Sequence, residues 1–476
     1  MNSFDYPDLK IELEPANNPQ TPTRIFIDQD PLAVPDTKLQ KEFHQLQHHF
    51  PDNNHWIMLS PEPTVLLSQP KNKPSSSFEW LTHARKWLDL EALSQTTLEL
   101  NGGDKITQEA FICAWLARCY KPATYRSTAS TAPENQTLYL ATPKISRERI
   151  KALQAEAKGN ALTRFLAWQP AALLTPGRYQ QFAAQLSKHY NWDITVYDRE
   201  KLTQMGAGAF LAVCRGDQQQ SAIVHLRYRP EIIKQHIALV GKGICFDTGG
   251  YNLKKDMQGM QMDMGGSAVA LGNLLAATEQ QLPYQIDCFL ALAENHIGPN
   301  AYKTSEVVTA LNGQTIEIVD TDAEGRMVLA DTLTLASREK PQLIIDYATL
   351  TGTCKRALGS NRSGLWSNQP DWLMPLLSIG DECGERIWPQ PLDPDYDEDI
   401  QSDIADIAQC AAGPGPDHIH AARFLQRFIS EQDRWIHIDL SSFNVKGGLA
   451  HQASPVTGFG VRYTQTLFTQ LERISL

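Results

Sequence analysis

The sequence predicts an α/β protein with a smaller N-terminal α/β domain, a helical linker and a C-terminal α/β domain. The larger domain is expected to hold a mixed, mostly parallel sheet covered by helices. Three observations predict this class. Runs of strand length alternate with helical patterns along the 476 residues. The strand-like runs of the second half are almost continuously apolar, as in strands buried on both faces. An apolar stripe at helical spacing separates the two halves.

The first domain, residues 1–145, is predicted from short strands and two amphipathic helices. Its strand-like runs lie at 24–30, 56–60, 64–68, 96–103 and from 137 onward. Its helical patterns lie at 76–90 and 107–120. The histidine-rich run 44–50 is interpreted as a solvated helix rather than a metal site, because adjacent histidines project from different helix faces.

The connecting helix is predicted at 146–169, and the second domain at 170–476. Strands joined through helices indicate a largely parallel sheet, with one antiparallel hairpin at the Asn312–Gly313 turn. The other predicted elements are strands at 236–241, 284–294, 343–352 and 435–441, and helices at 265–280 and 326–337.

Composition excludes several classes of protein. A hydrophobic content of 42% with 20% charged residues is ordinary for a globular chain, and no run of 18 apolar residues offers a membrane span. The first fifteen residues have neither a basic start nor an apolar core, which favours a cytoplasmic protein without a secretory signal. Eight cysteines without CxxC spacing indicate reduced, buried thiols. A net charge of −11 makes nucleic acid an improbable main partner.

Three short segments carry charged groups that could bind a metal or take part in catalysis. They are LVGKGICFDTGG at 239–250, MDMGGSA at 262–268 and VDTDAEGR at 319–326. In open α/β sheets, ligands bind beyond the carboxyl ends of the strands. We therefore expect the charged residues of these segments to converge there, namely Lys242, Asp247, Asp263, Asp322 and Glu324.

Packed together without cations, these four carboxylates would repel one another by several kcal/mol. Divalent metals resolve the conflict, since four carboxylates and one amine can hold two ions. Oxygen-rich ligation suits Zn, Mn, Mg or Co, and the sequence does not choose among them. Taken singly, each acid has the alternative reading of a helix cap or a surface charge. The dinucleotide fingerprint, the P-loop and the Gly-x-Ser-x-Gly motif are absent from the sequence.

The segments VGKGICFDTGGYNLK, MDMGGSAVALG, AENHIG, DTDAEGRMVLAD and DYATLTG closely resemble the leucine aminopeptidase (cytosol aminopeptidase) family of dimetal exopeptidases. The likeness extends from about residue 170 to the C-terminus and makes 170–476 the catalytic domain. It implies removal of the N-terminal residue from peptides, with Leu or Met preferred, by a water bridging two metals. Zn and Mn are the expected ions, with Mg and Co as further options. The resemblance also implies a homohexamer.

The resemblance assigns a role to each metal ligand. Asp247 and Glu324 are ligands shared between the two metals. Lys242 and Asp263 complete one site, and Asp322 completes the other. Lys242 would then bind as a neutral amine, which requires that its pKa be lowered.

Two further residues acquire catalytic roles from the same resemblance. Lys254 matches a lysine that stabilises the oxyanion of the tetrahedral intermediate. Arg326 matches an arginine that holds a bicarbonate ion, which relays a proton from the water to the leaving amine. The residues expected to contact the first side chain of the substrate are Met260, Thr349, Gly352, Ala453 and Val456. His296 and His437 are expected to be structural.

Two departures from the family pattern bear on these roles. The chain between Lys254 and Asp263 is two residues shorter than the usual spacing, which leaves the reach of Lys254 open. Asp320 stands where the family usually has Asn, and the added charge is expected either to alter the preference at the leaving-group side or to favour a basic residue there. Two alternative functions remain open at this stage: a non-catalytic regulatory or DNA-binding homologue, and a dimetal phosphatase.

Overall fold

The computed structural model describes residues 9–12, 23–27, 41, 55–58, 64–67, 74–89, 97–127, 136–218 and 220–476. The histidine-rich run 44–50 lies outside the described residues. The chain forms two compact units. The larger unit holds residues 158–446 and 456–476, and the smaller unit holds the described residues up to 157 together with 447–455. The predicted domain boundaries at 145 and 169 stay predictions.

The smaller unit contains a six-stranded sheet with the strand order β1-β6-β5-β2-β4-β3. All its neighbours are parallel except β3 and β4, which pair antiparallel. The strands are β1 (Leu9–Glu12), β2 (Thr23–Ile27), β3 (His55–Met58), β4 (Thr64–Leu67), β5 (Thr97–Gly102) and β6 (Gln136–Leu140).

Two helices of this unit, α1 (Ser77–Leu88) and α2 (Lys105–Cys119), begin at side-chain caps. Ser76 accepts a hydrogen bond from the backbone of Glu79, and Asp104 accepts one from the backbone of Thr107 at 2.9 Å. Each cap satisfies a backbone N–H that the helix itself leaves unpaired. Both helices bury their apolar faces in the core of the smaller unit, which also includes residues of β5 and β6.

The segment 447–455 belongs to the smaller unit although it lies far along the chain. One contact that joins it is made by Arg85 of α1, whose guanidinium donates to the carbonyls of Gly447 at 3.2 Å and Gln452 at 2.7 Å. The chain crosses from the smaller unit to the larger one within α3 (Arg147–Ala167).

The larger unit is built on an eight-stranded mixed sheet with the strand order β15-β14-β17-β13-β9-β10-β8-β7. The mixed α/β class predicted from the sequence is thus confirmed. The four central strands β17, β13, β9 and β10 are parallel, whereas β8, β7 and β14 run antiparallel to their inner neighbours. The strands are β7 (Asp193–Asp198), β8 (Ala222–Tyr228), β9 (Gln235–Asp247), β10 (Tyr284–Asn295), β13 (Leu343–Ala348), β14 (Ser363–Ser367), β15 (Ile387–Pro389) and β17 (Trp435–Asp439).

The antiparallel hairpin predicted at Asn312–Gly313 forms, but it belongs to a separate sheet of three strands. These strands are β11 (Val307–Thr309), β12 (Thr315–Glu317) and β16 (Ile407–Ala408). β16 pairs parallel with β12 from a distant part of the chain, a partner that local sequence patterns do not specify. The small sheet leads directly into the acidic segment at 319–326.

Helices cover both faces of the large sheet. A side chain at Gly241 of β9 would bring its Cβ within 2.4 Å of Ser267, and the next residue, Lys242, lies against Gly325. Successive strand residues point to opposite faces, so the two helices that begin near these positions lie on opposite sides. The helices of the unit are α4 (Pro176–Tyr190), α5 (Arg199–Met205), α6 (Gly208–Val213), α7 (Gly265–Glu279), α8 (Glu324–Arg338), α9 (Gly352–Leu358), α10 (Leu373–Cys383), α11 (Asp417–Gln426) and α12 (Val461–Phe468).

Burial in this unit agrees with the apolar sequence of its strands. Strand β13 is buried at every position, and α7 is buried from Gly265 to Ala277. All eight cysteines are free and buried, as the sequence indicated. Among the described helices, none combines the length and the apolar composition needed to cross a bilayer.

Candidate metal centre

Strand β9, the turn before α7 and the start of α8 with the segment before it bring the predicted ligands together. Lys242, Asp247, Asp263 and Glu324 are all buried, with 3%, 2%, 9% and 1% of their surface exposed. Together with Asp322, they line one cavity of about 840 Å³. The convergence expected from the sequence is therefore present in the structure.

Lys242 lies at the centre of the cluster. Its Nζ is 2.8 Å from Asp263 Oδ2 and 2.9 Å from Glu324 Oε1, and it donates to the carbonyl of Thr349 at 3.1 Å. The side chain passes close beneath the start of α8, where a Cβ at Gly325 would lie 2.6 Å from Lys242 Cε. Glycine at 325 thus lets the amine reach the carboxylates on both sides.

Lys254 lies beside the other carboxylates of the centre. Its Nζ is 2.8 Å from Asp247 Oδ2 and also contacts Asp322 Oδ1. The turn that carries it depends on Gly249 and Gly250, whose φ angles of 84° and 62° favour glycine. The shortened spacing before Asp263 does not keep the ammonium of Lys254 away from the carboxylates.

Three carboxylates are placed to share a metal ion. Asp247, Asp263 and Glu324 each offer an oxygen within 4.8 Å of the other two. Glu324 Oε2 is buried without a hydrogen-bond partner. A buried oxygen of this kind is costly unless a cation or a donor satisfies it. The donor set, oxygen-rich with one amine, therefore fits divalent metal ions.

Burial and mutual repulsion disturb these acids. Burial, with the charge of Asp247 adding to it, raises the pKa of Glu324 to about 8. Burial also raises the pKa of Asp263 to about 6, although Lys242 opposes the effect. Burial is the larger cause of both raised pKa values, and repulsion from the Asp247 carboxylate adds to each.

The pKa of Lys242 is shifted in the direction opposite to the one that metal coordination requires. Burial alone would lower its pKa, but the charges of Asp263, Glu324 and Asp247 outweigh burial and raise the pKa above its ordinary value. In this arrangement the group is an ammonium that pairs with acids. The lowered pKa expected for a metal-bound amine depends on bound cations, and it stays a prediction.

Neutral side chains that the sequence reasoning did not single out hold the ligands in place. Asn295, at the end of β10, is fully buried and donates to Asp247 Oδ1 at 2.9 Å and to the carbonyl of Thr321 at 2.9 Å. Thr349 Oγ1 donates to Asp263 Oδ1 at 2.8 Å. The AENHIG run could have indicated Asn295, because that residue ends β10, the strand that pairs with β9.

Asp439 was also missed, and it organises the loop that follows β13. It accepts hydrogen bonds from the backbone of Leu350 at 3.1 Å, the backbone of Thr351 at 3.2 Å and the hydroxyl of Thr351 at 2.7 Å. The carboxyl is 2% exposed and lines the cavity. The sequence could have indicated Asp439, because it ends β17 and the carboxyl ends of the parallel strands lie at one edge of the sheet.

The predicted substrate-binding residues divide into two sets. Met260, Thr349 and Gly352 line the cavity. Val456 is buried and forms an isolated bridge with Asn444, which is itself a lining residue. Ala453 lies in the segment that belongs to the smaller unit. The substrate-binding role of all five stays a prediction.

Arg326 is buried in the first turn of α8, two residues after Glu324, and lines the cavity. Its Nη2 donates to Asp417 Oδ1 at 2.7 Å, and its Nη1 donates to the carbonyl of Gln409 at 3.1 Å. Its Nε is buried without a partner. Asp417 was not among the predicted residues, because nothing local in the sequence links it to Arg326.

Asp320 lines the same cavity and shapes the turn before α8. Its Oδ1 accepts a hydrogen bond from the backbone of Asp322 at 2.8 Å. The side-chain oxygen of Gln409 accepts hydrogen bonds from the backbone N–H groups of Val319 and Asp320. The turn is thus held by Asp320 from within and by Gln409 from outside.

The two histidines expected to be structural are both paired with carboxylates. His437 Nδ1 lies 2.6 Å from Asp346 Oδ1 between β17 and β13, and both residues are fully buried. His296 Nε2 lies 3.0 Å from the carboxylate of Glu294 in β10. Neither histidine is among the residues that line the cavity.

Comparison with known proteins gives the family. A family model described as "Cytosol aminopeptidase family, catalytic domain" matches residues 161–465. The chain belongs to the cytosol aminopeptidase family. The resemblance predicted from the motifs is thereby confirmed.

Relatives with the same family name come from several bacteria. This cytosol aminopeptidase family member is 45% identical over 291 residues to a "Probable cytosol aminopeptidase" of Stutzerimonas stutzeri (strain A1501), which covers 60% of the chain and 58% of that relative. It is 37% identical over 371 residues to one from Synechococcus sp. (strain CC9605), which covers 76% of the chain and 75% of the relative.

A solved structure is similar over nearly the whole chain. It is described as "Bottromycin maturation enzyme BotP in complex with Mn". The likeness covers 94% of this chain and 99% of that chain, with a TM-score of 0.83 and 28% sequence identity.

Proposed function

We propose that this family member is a metal-dependent aminopeptidase that removes the N-terminal residue from peptides. The observation that carries the proposal is the convergence of five ligand side chains on one cavity, with a buried oxygen of Glu324 left without a partner. Family membership supports it independently. Two divalent ions held there would polarise the scissile carbonyl and acidify the attacking water.

The ligands are proposed to divide as the family pattern has them. Asp247 and Glu324 would contact both ions, Lys242 and Asp263 would complete one site, and Asp322 would complete the other. Zn or Mn is the proposed ion, and the Mn complex of a similar structure supports a divalent cation.

Lys254 is proposed to stabilise the oxyanion. Its ammonium now pairs with Asp247 and Asp322, the carboxylates that cations would engage. Because bound cations would take over the negative charge of these acids, Lys254 Nζ would be released toward the cavity that it lines. A preorganised donor of this kind is worth roughly 3–4 kcal/mol in the transition state.

A pocket that includes Met260, Thr349 and Gly352 is proposed to receive the first side chain, with Leu or Met preferred. Discrimination of about 1–3 kcal/mol per methylene follows for such a site. Asp320 adds a negative charge to the cavity, and a preference for a basic second residue is proposed on that basis. A dipeptide library read by mass spectrometry tests it, and equal rates for basic and neutral second residues would refute it.

The homohexamer stays a prediction from the family resemblance, and the cytoplasmic location stays a prediction from the sequence. The bicarbonate relay is likewise a prediction from the family resemblance. Light scattering of the purified protein tests the first, since a hexamer has six times the mass of the chain.

The direct test is turnover of a leucine anilide by metal-free protein after addition of Mn or Zn. We expect activity that a chelator abolishes and that Asp322→Ala and Glu324→Ala each reduce by at least 100-fold. Asp403→Ala and Glu231→Ala, at exposed positions outside the cavity, are matched controls that should retain the full rate.

One result would overturn the enzymatic proposal. If the folded wild-type protein binds two metals and cleaves no peptide, the non-catalytic homologue becomes the better explanation. Turnover of a phosphate monoester in place of peptides would instead favour the dimetal phosphatase.

A further inference from the structure

Asp417 presents a free carboxylate oxygen to the cavity that holds the metal ligands. It is the first residue of α11, and its side chain is 38% exposed. Its Oδ1 accepts the hydrogen bond of Arg326 Nη2 at 2.7 Å. Within the described part of the chain, no donor engages its Oδ2. One oxygen is thus fixed by a buried guanidinium, and the other is available to a molecule in the cavity.

Three other groups that line the cavity could accept a proton, and each has a partner of its own. Asp439 accepts three hydrogen bonds from Leu350 and Thr351. Asp320 Oδ1 holds the backbone of Asp322. His420 Nε2 lies 3.0 Å from Asp399, and its Nδ1 is buried without a hydrogen-bond partner. Asp417 differs from these groups because the buried guanidinium of Arg326 fixes one oxygen of its carboxylate in the cavity that the ligands line.

The charge state of Asp417 suits a proton acceptor. Burial alone would raise its pKa, but the charge and hydrogen bond of Arg326 outweigh burial and lower the pKa below its usual value. The group is consequently a carboxylate at neutral pH. Arg326 provides this stabilisation from the same helical turn that carries Glu324.

The same ion pair leaves little room for bicarbonate on Arg326. Asp417 and the carbonyl of Gln409 engage two of the five N–H groups of the guanidinium, one on Nη2 and one on Nη1, and its Nε is buried without a partner. A second anion at this guanidinium would lie beside the Asp417 carboxylate and be repelled by it. The residues present therefore do not fit a bound bicarbonate.

We propose that Asp417 carries the proton of the hydrolysis in this chain, in the place that the family resemblance gives to bicarbonate. This inference rests on the proposed peptidase function. As the oxygen of the attacking water bonds to the scissile carbonyl carbon, one water proton passes to Asp417 Oδ2. The resulting carboxylic acid then gives that proton to the leaving nitrogen as the C–N bond breaks. The carboxylate is restored, and no oxidant or further reactant is consumed.

The kinetic test compares Asp417→Asn, Asp417→Gly and the exposed control Asp403→Asn, each loaded with Mn, in buffer freed of carbon dioxide. We expect wild type and the control to keep their full rate without bicarbonate. Asp417→Asn should lose about 100-fold or more in kcat, the range typical of a lost general base. Added formate or acetate should partly restore Asp417→Gly, with the more basic acetate giving the greater rate constant at saturation.

Bicarbonate binding provides a readout that does not depend on activity. Titration calorimetry should show no binding of bicarbonate to wild type and measurable binding to Asp417→Gly, in which the guanidinium is freed. This binding measurement still tests the proposal if the Asp417→Asn variant folds poorly.

Three results would overturn the proposal: a wild-type rate that depends on bicarbonate, a full rate for Asp417→Asn, or bicarbonate binding to wild type. A loss confined to peptides with a basic second residue would also overturn it, since Asp417 would then recognise substrate rather than move a proton. If wild type cleaves no peptide at all, the proposed function fails, and this proposal fails with it. The binding measurement would then report only whether the guanidinium accepts an anion.

Discussion

At the scale of single residues, neutral partners decide where the carboxylate oxygens of the centre lie. Asn295 is the clearest case, because its amide joins Asp247 to the backbone of Thr321. The two acidic segments that this amide connects are far apart in the sequence. Residues that orient metal ligands in this way typically affect metal affinity nearly as strongly as the ligands themselves.

Replacement of Asn295 by Ala should weaken Mn binding by about 10–100-fold, because Asp247 loses the donor that orients it. Calorimetric titration of metal-free protein measures the effect. Asn368→Ala is the matched control, since Asn368 also donates to a backbone carbonyl, that of Asp433, but does not line the cavity. Unchanged Mn affinity in Asn295→Ala would show that Asp247 is held without the amide.

The convergence of the proposed ligands was predictable from the sequence, and several of their partners were not. Lys242, Asp263 and Glu324 lie in distinctive motifs at the ends of predicted strands or the starts of helices. Asp417 and Asp439 are isolated acids, and their roles arise from contacts with Arg326 and Thr351 that only tertiary packing creates.

At the scale of elements, close packing of α7 on the sheet sets the distance between two ligands. A Cβ at Gly266 would lie 2.0 Å from the carbonyl oxygen of Tyr347 in β13. The helix can therefore approach the strand only if this position is glycine. Asp263 precedes this helix by two residues, so the approach also places its carboxylate beside Lys242 of β9.

Gly266→Ala should force α7 away from β13 and destabilise the protein by about 1–3 kcal/mol, the usual cost of overpacking. Mn affinity should fall as well, because Asp263 moves with the helix. Denaturant unfolding and calorimetry measure the two effects. Gly177→Ala is the control, since its Cβ would meet only the flexible side chain of Gln220. Wild-type behaviour of Gly266→Ala would contradict the packing argument.

The pairing of β13 with β17 contributes a pH dependence to stability. Burial alone would lower the pKa of His437, but the charge and hydrogen bond of Asp346 outweigh burial and raise the pKa. A histidine whose pKa is higher in the folded state stabilises fully below its unfolded pKa of about 6.5. That contribution is lost as the pH rises through the folded pKa.

The free energy of unfolding should therefore fall as the pH rises above about 6.5, and Asp346→Asn should reduce this fall. Denaturant unfolding at pH values from about 6 to 9 provides the measurement. Other buried acids also titrate in this range. The test is therefore the difference between wild type and Asp346→Asn in how the free energy of unfolding changes with pH. Identical pH profiles would mean that His437 stays neutral in the folded protein.

At the scale of the whole molecule, the sequence predicted the mixed sheet and most elements of the larger unit. Two of its central strands, β9 and β10, are long and largely apolar, so the sequence pattern identifies them. The antiparallel placement of β7, β8 and β14 was not predicted, because strand direction depends on distant partners. The separate sheet of β11, β12 and β16 was missed for the same reason.

The central claim is that Lys242, Asp247, Asp263, Asp322 and Glu324 together hold two divalent ions. Titration of metal-free protein with Mn, followed by calorimetry, tests it most directly. We predict two ions per chain for wild type and for Asp403→Ala, and at most one tightly bound ion for Asp322→Ala. Fewer than two ions in wild type, or two in Asp322→Ala with unchanged affinity, would contradict the claim.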